Sequence, residues 1–388
     1  MTTTTKDEYV RITQKRYSKS SKKQKTLILN EFTQTLKIHR KSAIRLLSVP
    51  PDRKKPTRRQ REFLYGKKIM YIIGQWWRAS GFMCGQRLKA SLEIWLPFLK
   101  KHFSLELDKE IEKDLRKISP STIDRRLAAQ RKRFKKKIYG STKPGLLLRH
   151  QIPIRTEFWN VQQPGFVEID LVCHCGSSAS GEFAYTLTVT DIFSQWVERR
   201  AVLGKGERGV AAALDEIRRA MPFVLLAIDS DNGSEFINEH LVRYCTKHSL
   251  GFTRSRPYKK DDNAHVEQKN FTHVRKIFGW VRFDHPKIIP FINDLYAGEL
   301  RTFQNFFQPN YKLKEKIHVG SRHFRRFEIP KTPFQRLKLS PAISTQTFQL
   351  FETNALSQDP FVLQKTIQNK ISNIYKLHND LKNVTPNP

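Results

Sequence analysis

Apolar positions change their period along this chain. Up to about residue 130 they recur every three or four positions, the spacing of helices that bury one face. The run Lys22 to Leu36 carries Leu27, Ile28, Leu29 and Phe32 among basic residues. A break follows near Leu36-Lys37-Ile38, and a second short helix over 39–47 turns Ala43, Ile44 and Leu47 inward. Its His39, Arg40, Lys41 and Arg45 project elsewhere, so residues 1–49 have the outline of a helix-turn-helix with a basic second helix. Helical spacing resumes over 63–80, ending in Trp76-Trp77, and again over 85–98 and 108–118. At Ser119-Pro120 a serine can cap a further helix and a proline suits its first turn.

From Phe166 the pattern shortens to strand length. Residues 166–173, 183–190 and 196–203 read as three successive strands, and 209–221 as a helix with an apolar stripe. Then come a buried strand over 223–229, a helix over 234–248, a short strand over 251–255 and a long helix over 262–281. The order β-β-β-α-β-α-β-α predicts an α/β mixed sheet with helices on its faces, the order of a ribonuclease H-like fold. Beyond about residue 285 the signal fades. Residues 305–336 read as basic and loop-rich, and 359–382 as an amphipathic helix that packs on the core or on another subunit.

Charge narrows the partner. The 388 residues include 71 lysines and arginines against 36 acids, a net charge of +35. So basic a chain implies a polyanion, and nucleic acid precedes an anionic membrane surface. No apolar run reaches transmembrane length, the first residues lack a signal-peptide core, and four cysteines are too few for a disulfide scaffold. These features predict a cytoplasmic, nucleoid-associated prokaryotic protein. In the first module Arg40, Lys41 and Arg45 are the candidate DNA contacts. The linker at 50–61 holds three prolines and a cationic cluster that includes Arg58 and Arg59. It either follows phosphates or is a charged spacer. A second helical DNA-binding module spans 62–138, in which Ser121, Thr122, Arg125 and Arg126 near a helix start suit base edges and phosphates. A connector over 139–164 precedes the core.

Three carboxylates carry the chemistry. Asp170 lies in the first strand, Asp231 just beyond the buried strand, and Glu267 on the long helix. Sixty residues separate the first pair and thirty-five the second. Acids crowded together without a cation would repel and raise one another's pKa values. Two Mg²⁺ or Mn²⁺ ions per site remove that conflict and promote in-line phosphodiester displacement.

The quoted residues resemble the DDE transposases of the retroviral-integrase superfamily, in their bacterial insertion-sequence branch. The resemblance rests on Glu168-Ile169-Asp170, on Ser230-Asp231-Asn232-Gly233-Ser234-Glu235-Phe236, on Arg256-Pro257-Tyr258, and on Val266-Glu267-Gln268-Lys269-Asn270. It spans roughly residues 145–340. It implies an integrase-type catalytic core at 165–283, followed by a basic C-terminal region with a terminal helix at 284–388. It also implies a divalent-metal enzyme that nicks transposon ends and transfers strands, with Asp170, Asp231 and Glu267 as metal ligands. Double-stranded DNA, both terminal inverted repeats and target, is the implied partner, and synapsis of two ends implies a homo-oligomer assembled on DNA.

Neighbouring residues compete for some roles. Glu168 shares a strand face with Asp170, and Asp229 is related to Asp231 in the same way. The family pattern has a non-acidic residue where this chain has Asp229. Asp191 reads as structural, and Glu235 suits a helix start. Arg256, Tyr258, Lys259 and Lys260 form a polar loop suited to clamping the scissile strand, or an ordinary loop. Lys269 is the candidate DNA contact on the long helix, with Arg275 and Lys276 as competitors. Cys173-His174-Cys175 is a poor zinc site, because adjacent strand side chains alternate faces. Two alternatives stand beside a transposase: a decayed or domesticated DNA-binding protein, and a simple Mg²⁺-dependent nuclease.

Overall fold

The computed structural model describes residues 2–49, 64–133, 161–230, 239–254, 266, 269–319, 322–341 and 343–384. They fall into two compact units, Met1–Leu64 and Tyr65–Pro388.

The first unit has three helices: α1 (Thr3–Ser18), α2 (Lys22–Leu36) and α3 (Arg40–Leu47). A capping box of Ser21 and Gln24 starts α2, and Lys37 in the left-handed region (φ 49°) ends it. Ile28, Leu29, Phe32, Ala43 and Leu47 form the core, with Tyr9 stacked on Phe32. Two features differ from the sequence expectation. The polar segment over α1 is helical, because its tyrosines and Val10 close the core from a third side. Ile44 is exposed, since α3 turns only Ala43 and Leu47 inward.

The second unit begins with α4 (Lys67–Ala79), α5 (Gly85–Ala90), α6 (Leu92–His102), α7 (Lys109–Lys117) and α8 (Pro120–Arg133). The stretch expected as one helix over 85–98 breaks at Ser91, whose Oγ donates to Leu88 O at 2.8 Å. Ser119 caps α8 by accepting from the N–H of Thr122 at 3.2 Å.

A five-stranded sheet follows, in the order β3-β2-β1-β4-β5. Its strands are β1 (Phe166–Cys173), β2 (Ala184–Asp191), β3 (Val197–Leu203), β4 (Ala227–Ser230) and β5 (Gly251–Arg254). The first three pair antiparallel, while β1, β4 and β5 run parallel. Helix α9 (Glu207–Ala220) packs its stripe of Val210, Ala213, Leu214 and Ile217 on β2 and β3, and α10 (Glu239–Lys247) joins β4 to β5. The expected β-β-β-α-β-α-β order is the one found. The short hairpin turn of β2 to β3 and the helical crossovers between parallel strands account for it.

The helical segment before the sheet is not a separate module. One hydrophobic core runs from Ile69 and Trp95 through Ile169 and Leu187 to Ile374. Trp95 donates to Phe307 O at 3.0 Å and meets Phe303, Phe307 and Phe361 edge-on. The boundaries expected at 62–138 and 284–388 therefore fall within one packed body. Trp76 and Trp77 are core residues, each 1% exposed.

Two asparagines close the open edge of β3. Asn293 accepts from Ala201 N at 2.6 Å and donates to Ala201 O at 3.0 Å. Asn305 makes the same pair with Val197, both at 3.0 Å. Each amide takes the place of a neighbouring strand and satisfies backbone groups that would otherwise template another chain.

The region expected as loop contains a two-stranded ribbon, β6 (Leu313–Val319) and β7 (Arg322–Phe327). The last helix, Pro360–Val384, packs on the core through Leu363, Ile367 and Ile374. Its Tyr375 hydroxyl donates to Phe278 O at 2.8 Å.

Candidate active site

Asp170 sits near the end of β1, half-buried. Its Oδ1 accepts from Leu171 N at 2.8 Å, and its Oδ2 accepts from Asn270 Nδ2 at 2.5 Å. In register, Asp170 lies opposite Thr188 of β2, and Thr188 lies opposite Arg199 of β3.

One row away, Glu168 lies opposite Thr190 on one side and Asp229 on the other, and Asp229 lies opposite Thr253. Both competing acids are buried. Glu168 Oε2 accepts from Val266 N at 2.8 Å, and Asp229 Oδ1 accepts from Thr253 Oγ1 at 2.6 Å. Glu168 thus anchors chain from the helical segment that follows β5.

Asp231 and Glu267 lie outside the described residues, as do Arg58, Arg59, Arg256, Tyr258, Lys259, Lys260 and Glu235. The residues that precede the two acids are described. Ser230, before Asp231, lies opposite Ile169, before Asp170. Val266, before Glu267, is buried and donates to Glu168. Asn270, three residues beyond Glu267, holds Asp170. These short contacts draw three distant stretches of chain onto one strand. Asn270 was not assigned a role from sequence; its position one helical turn after Glu267 was the available signal.

Asp191 is structural. It is buried and accepts from Ser194 N at 2.7 Å, Ser194 Oγ at 2.5 Å and Gly165 N at 2.8 Å. Burial nevertheless outweighs these donors and pushes its pKa up to about 6. Gly165 (φ +115°) needs its missing Cβ, since Val224 O would stand 2.5 Å from one.

Lys269 corrects an expectation. It is 2% exposed, and burial holds its pKa well below the usual lysine value. A side chain enclosed in this way does not reach DNA at the surface. Arg275 is also buried, stacked over Trp280 at 3.8 Å, whereas Lys276 is exposed. The helix phase decides this: Lys269 and Arg275 turn inward, while Lys276 turns to solvent.

The other described candidates lie on surfaces. Arg40, Lys41 and Arg45 are exposed on α3 of the first unit, and Arg40 donates to Asn30 Oδ1 at 2.5 Å. On α8, Ser121 and Arg125 are exposed, Thr122 and Arg126 are half-buried, and Ile123 and Leu127 face the core.

Cys173 and Cys175 place their Sγ atoms 3.8 Å apart, but His174 points away and bonds Thr186 Oγ1 at 2.8 Å. Burial lowers its pKa to about 3, so the imidazole is neutral. Among the described residues no three His, Cys, Asp or Glu side chains come together as metal ligands. No described helix is long and apolar enough to cross a membrane.

This sheet, with an acid on its central strand and helices on its faces, defines a protein with an integrase core. The integrase core domain family model matches residues 160–260, the stretch that holds this sheet. It is 37% identical over 333 residues to the uncharacterized protein y4rM of Sinorhizobium fredii (strain NBRC 101917 / NGR234), covering 86% of this chain and 95% of that protein. Among solved structures, it resembles the HTLV-2 integrase catalytic core domain in complex with magnesium at 14% identity and a TM-score of 0.29, covering 38% of this chain and 92% of that one. It also resembles a chain of the simian T-cell lymphotropic virus intasome in complex with PP2A regulatory subunit B56 gamma. The identity there is 13% and the TM-score 0.32, over 63% of this chain and 77% of that one.

Proposed function

We propose that the protein is a transposase that cleaves DNA at the ends of its element and joins those ends to target DNA. Asp170, Asp231 and Glu267 are the catalytic carboxylates. The observation that carries this reading is the convergence on β1: Ser230 beside Ile169, Val266 on Glu168, and Asn270 on Asp170. A core held together for stability alone has no need of a half-buried acid positioned by an asparagine from a distant helix.

The donor set is carboxylate oxygen, which suits Mg²⁺ or Mn²⁺. Held by these three side chains, two such ions would supply an acidified nucleophile and neutralise charge on the leaving oxygen. The chain's own part is positioning. Asn270 Nδ2 and Leu171 N fix the two Asp170 oxygens, so the carboxylate meets its ligand without losing rotamer freedom at that moment. Glu168, by holding Val266, fixes the approach of the segment that bears Glu267.

DNA is held elsewhere. Arg40, Lys41 and Arg45 of α3, Arg58 and Arg59 of the linker, and Ser121, Thr122, Arg125 and Arg126 of α8 are the proposed contacts, with Arg256, Tyr258, Lys259 and Lys260 near the scissile strand. α3 of the first unit and α8 act as the DNA-reading helices for the terminal repeats. The active form is an oligomer assembled on two ends.

The test uses the full chain and duplexes that carry the DNA flanking its gene. Cleavage and strand transfer require Mg²⁺ or Mn²⁺ and stop on chelation. Asp231→Asn abolishes both while DNA binding persists; transposition that survives this change sinks the proposal. Pre-cut ends that are degraded but never joined would reduce the protein to a nuclease.

A further inference from the structure

Arg199 joins two π-helical turns at the face of the sheet that carries Asp170. It is 1% exposed, on β3, in register with Thr188 and through it with Asp170. Opposite residues of antiparallel strands share a face, so Arg199 and Asp170 stand on one side of the sheet, two strands and roughly 10 Å apart. The turn Asn270–Arg275 reaches both ends of that row. Its first residue donates to Asp170, and its fourth, His273, accepts at its main-chain oxygen from Arg199 Nη1 at 2.6 Å.

The second turn, Phe303–Phe307, has its own attachment to the sheet. Its Asn305 bonds both the N–H and the carbonyl of Val197, two residues before Arg199 on β3. The preceding residue, Gln304, accepts from Arg199 Nη2 at 2.5 Å. The guanidinium also lies over the Tyr296 ring, 4.6 Å from its centroid, and the Tyr296 hydroxyl is bonded to Thr186 Oγ1 at 2.9 Å. Two directed hydrogen bonds and a stacked ring fix the orientation of this planar group.

Filling the core does not call for such a residue. Burying a guanidinium against neutral acceptors costs hydration that the hydrogen bonds only partly return, and an apolar side chain of similar volume is often as stable or more so. π-helical turns are rare, and they gather at functional positions. Here one begins three residues after Glu267 and is bonded to the sheet at both Asp170 and Arg199.

We propose that Arg199 is a positioning residue for strand transfer: it clamps the turn Asn270–Arg275 to the sheet, and so sets where Asn270 meets Asp170 and where the chain three residues earlier presents Glu267. The kinetic part rests on the transposase reading; the clamp itself does not. A guanidinium fork holds a main-chain oxygen and a side-chain amide at once, in fixed directions, which an ammonium does less well. Without the fork the turn loses its bond to β3, and Asn270 holds Asp170 from a less rigid base.

Hydrogen exchange on the DNA-free full-length chain reads the clamp. In Arg199→Met the amides of residues 269–278 should exchange roughly tenfold faster than in wild type, while those of β1 and α9 stay unchanged. Unchanged exchange over 269–278, or a rise shared equally by the whole core, overturns the proposal. Strand transfer reads the consequence. Arg199→Met should lower its rate by about 10–100-fold with DNA affinity unchanged, and Arg199→Lys should recover part of the loss; a wild-type rate in Arg199→Met overturns the role. Arg199→Met combined with Asn270→Ala should fall no more than about threefold below the slower single variant, because both act on one placement, and losses that multiply in full overturn it. If Arg199→Met does not fold, Gln304→Leu keeps the arginine and removes one acceptor. It should still raise exchange over 269–278, and no rise overturns the clamp. A wild-type chain without strand transfer would sink the transposase reading, with the exchange data still deciding the clamp.

Discussion

Asn270 donates its side-chain amide to Asp170 Oδ2 at 2.5 Å across one hundred residues of sequence. The contact joins the helical segment that follows β5 to the strand that carries the first acid. Because the asparagine is half-buried and polar, its loss acts on geometry more than on stability.

Asn270→Ala should therefore lower the strand-transfer rate by roughly 10–100-fold, the penalty for a loosely held catalytic group. Unfolding stability should change by less than about 1 kcal/mol. Asn270→Asp should also move the acid limb of the pH–rate profile upward, because a second carboxylate against Asp170 disfavours its ionisation. Wild-type rates in both variants would remove Asn270 from the site.

Glu168 has a different part. Glu168→Gln keeps an acceptor for Val266 N–H and should fold with little loss. Glu168→Ala leaves that buried N–H without its partner and should cost about 1–3 kcal/mol in urea unfolding. Equal stabilities for the two variants would show that this hydrogen bond does not hold the segment in place.

Asp191 gives the protein a pH-dependent stability. Its pKa is raised by burial from the ordinary value of 3.8 to about 6, so between these values the folded state binds the proton more tightly than the unfolded state. Stability from this group is present below the unfolded pKa and is lost as pH rises through the folded one. Relative to Asp191→Asn, the wild type should lose up to about 3 kcal/mol between pH 4 and pH 7. Urea midpoints of the two proteins across that range measure it, and parallel curves would contradict it.

The exposed cations of α3 predict a salt effect. With a net charge of +35, DNA binding should weaken steeply as salt rises. Replacing Arg40, Lys41 and Arg45 together by alanine should lower the slope of log K against log salt by about 2–3, close to one for each phosphate no longer neutralised. Titrations at several salt concentrations decide it; an unchanged slope would mean that DNA is bound by other cations.

Much of the architecture was legible because local pattern and burial agree. The helix Lys22–Leu36 and the strand Phe166–Cys173 have the bounds their apolar spacing announces. What misled was pattern without context. The ribbon β6–β7 reads as loop because its alternation is between charged and aromatic residues, with Phe324 and Phe327 left about half exposed. The helix α1 has few apolar residues, and only the docking of Tyr9 and Tyr17 reveals its inner face. A proline-bearing segment after a helical module suggested a domain boundary at 62–138, yet Trp95 is enclosed by residues more than two hundred positions away.

The sequence by itself determined the order of strands and helices, the surplus of positive charge, and the acids Asp170, Asp231 and Glu267 as candidates, since period, composition and spacing are properties of the chain alone. Only the tertiary structure decided which polar groups face which. It put Asn270 on Asp170, Val266 on Glu168, two asparagines along the edge of β3, and Lys269 inside. Those choices depend on helix phase and on packing between distant segments, and neither is written in any local run of residues.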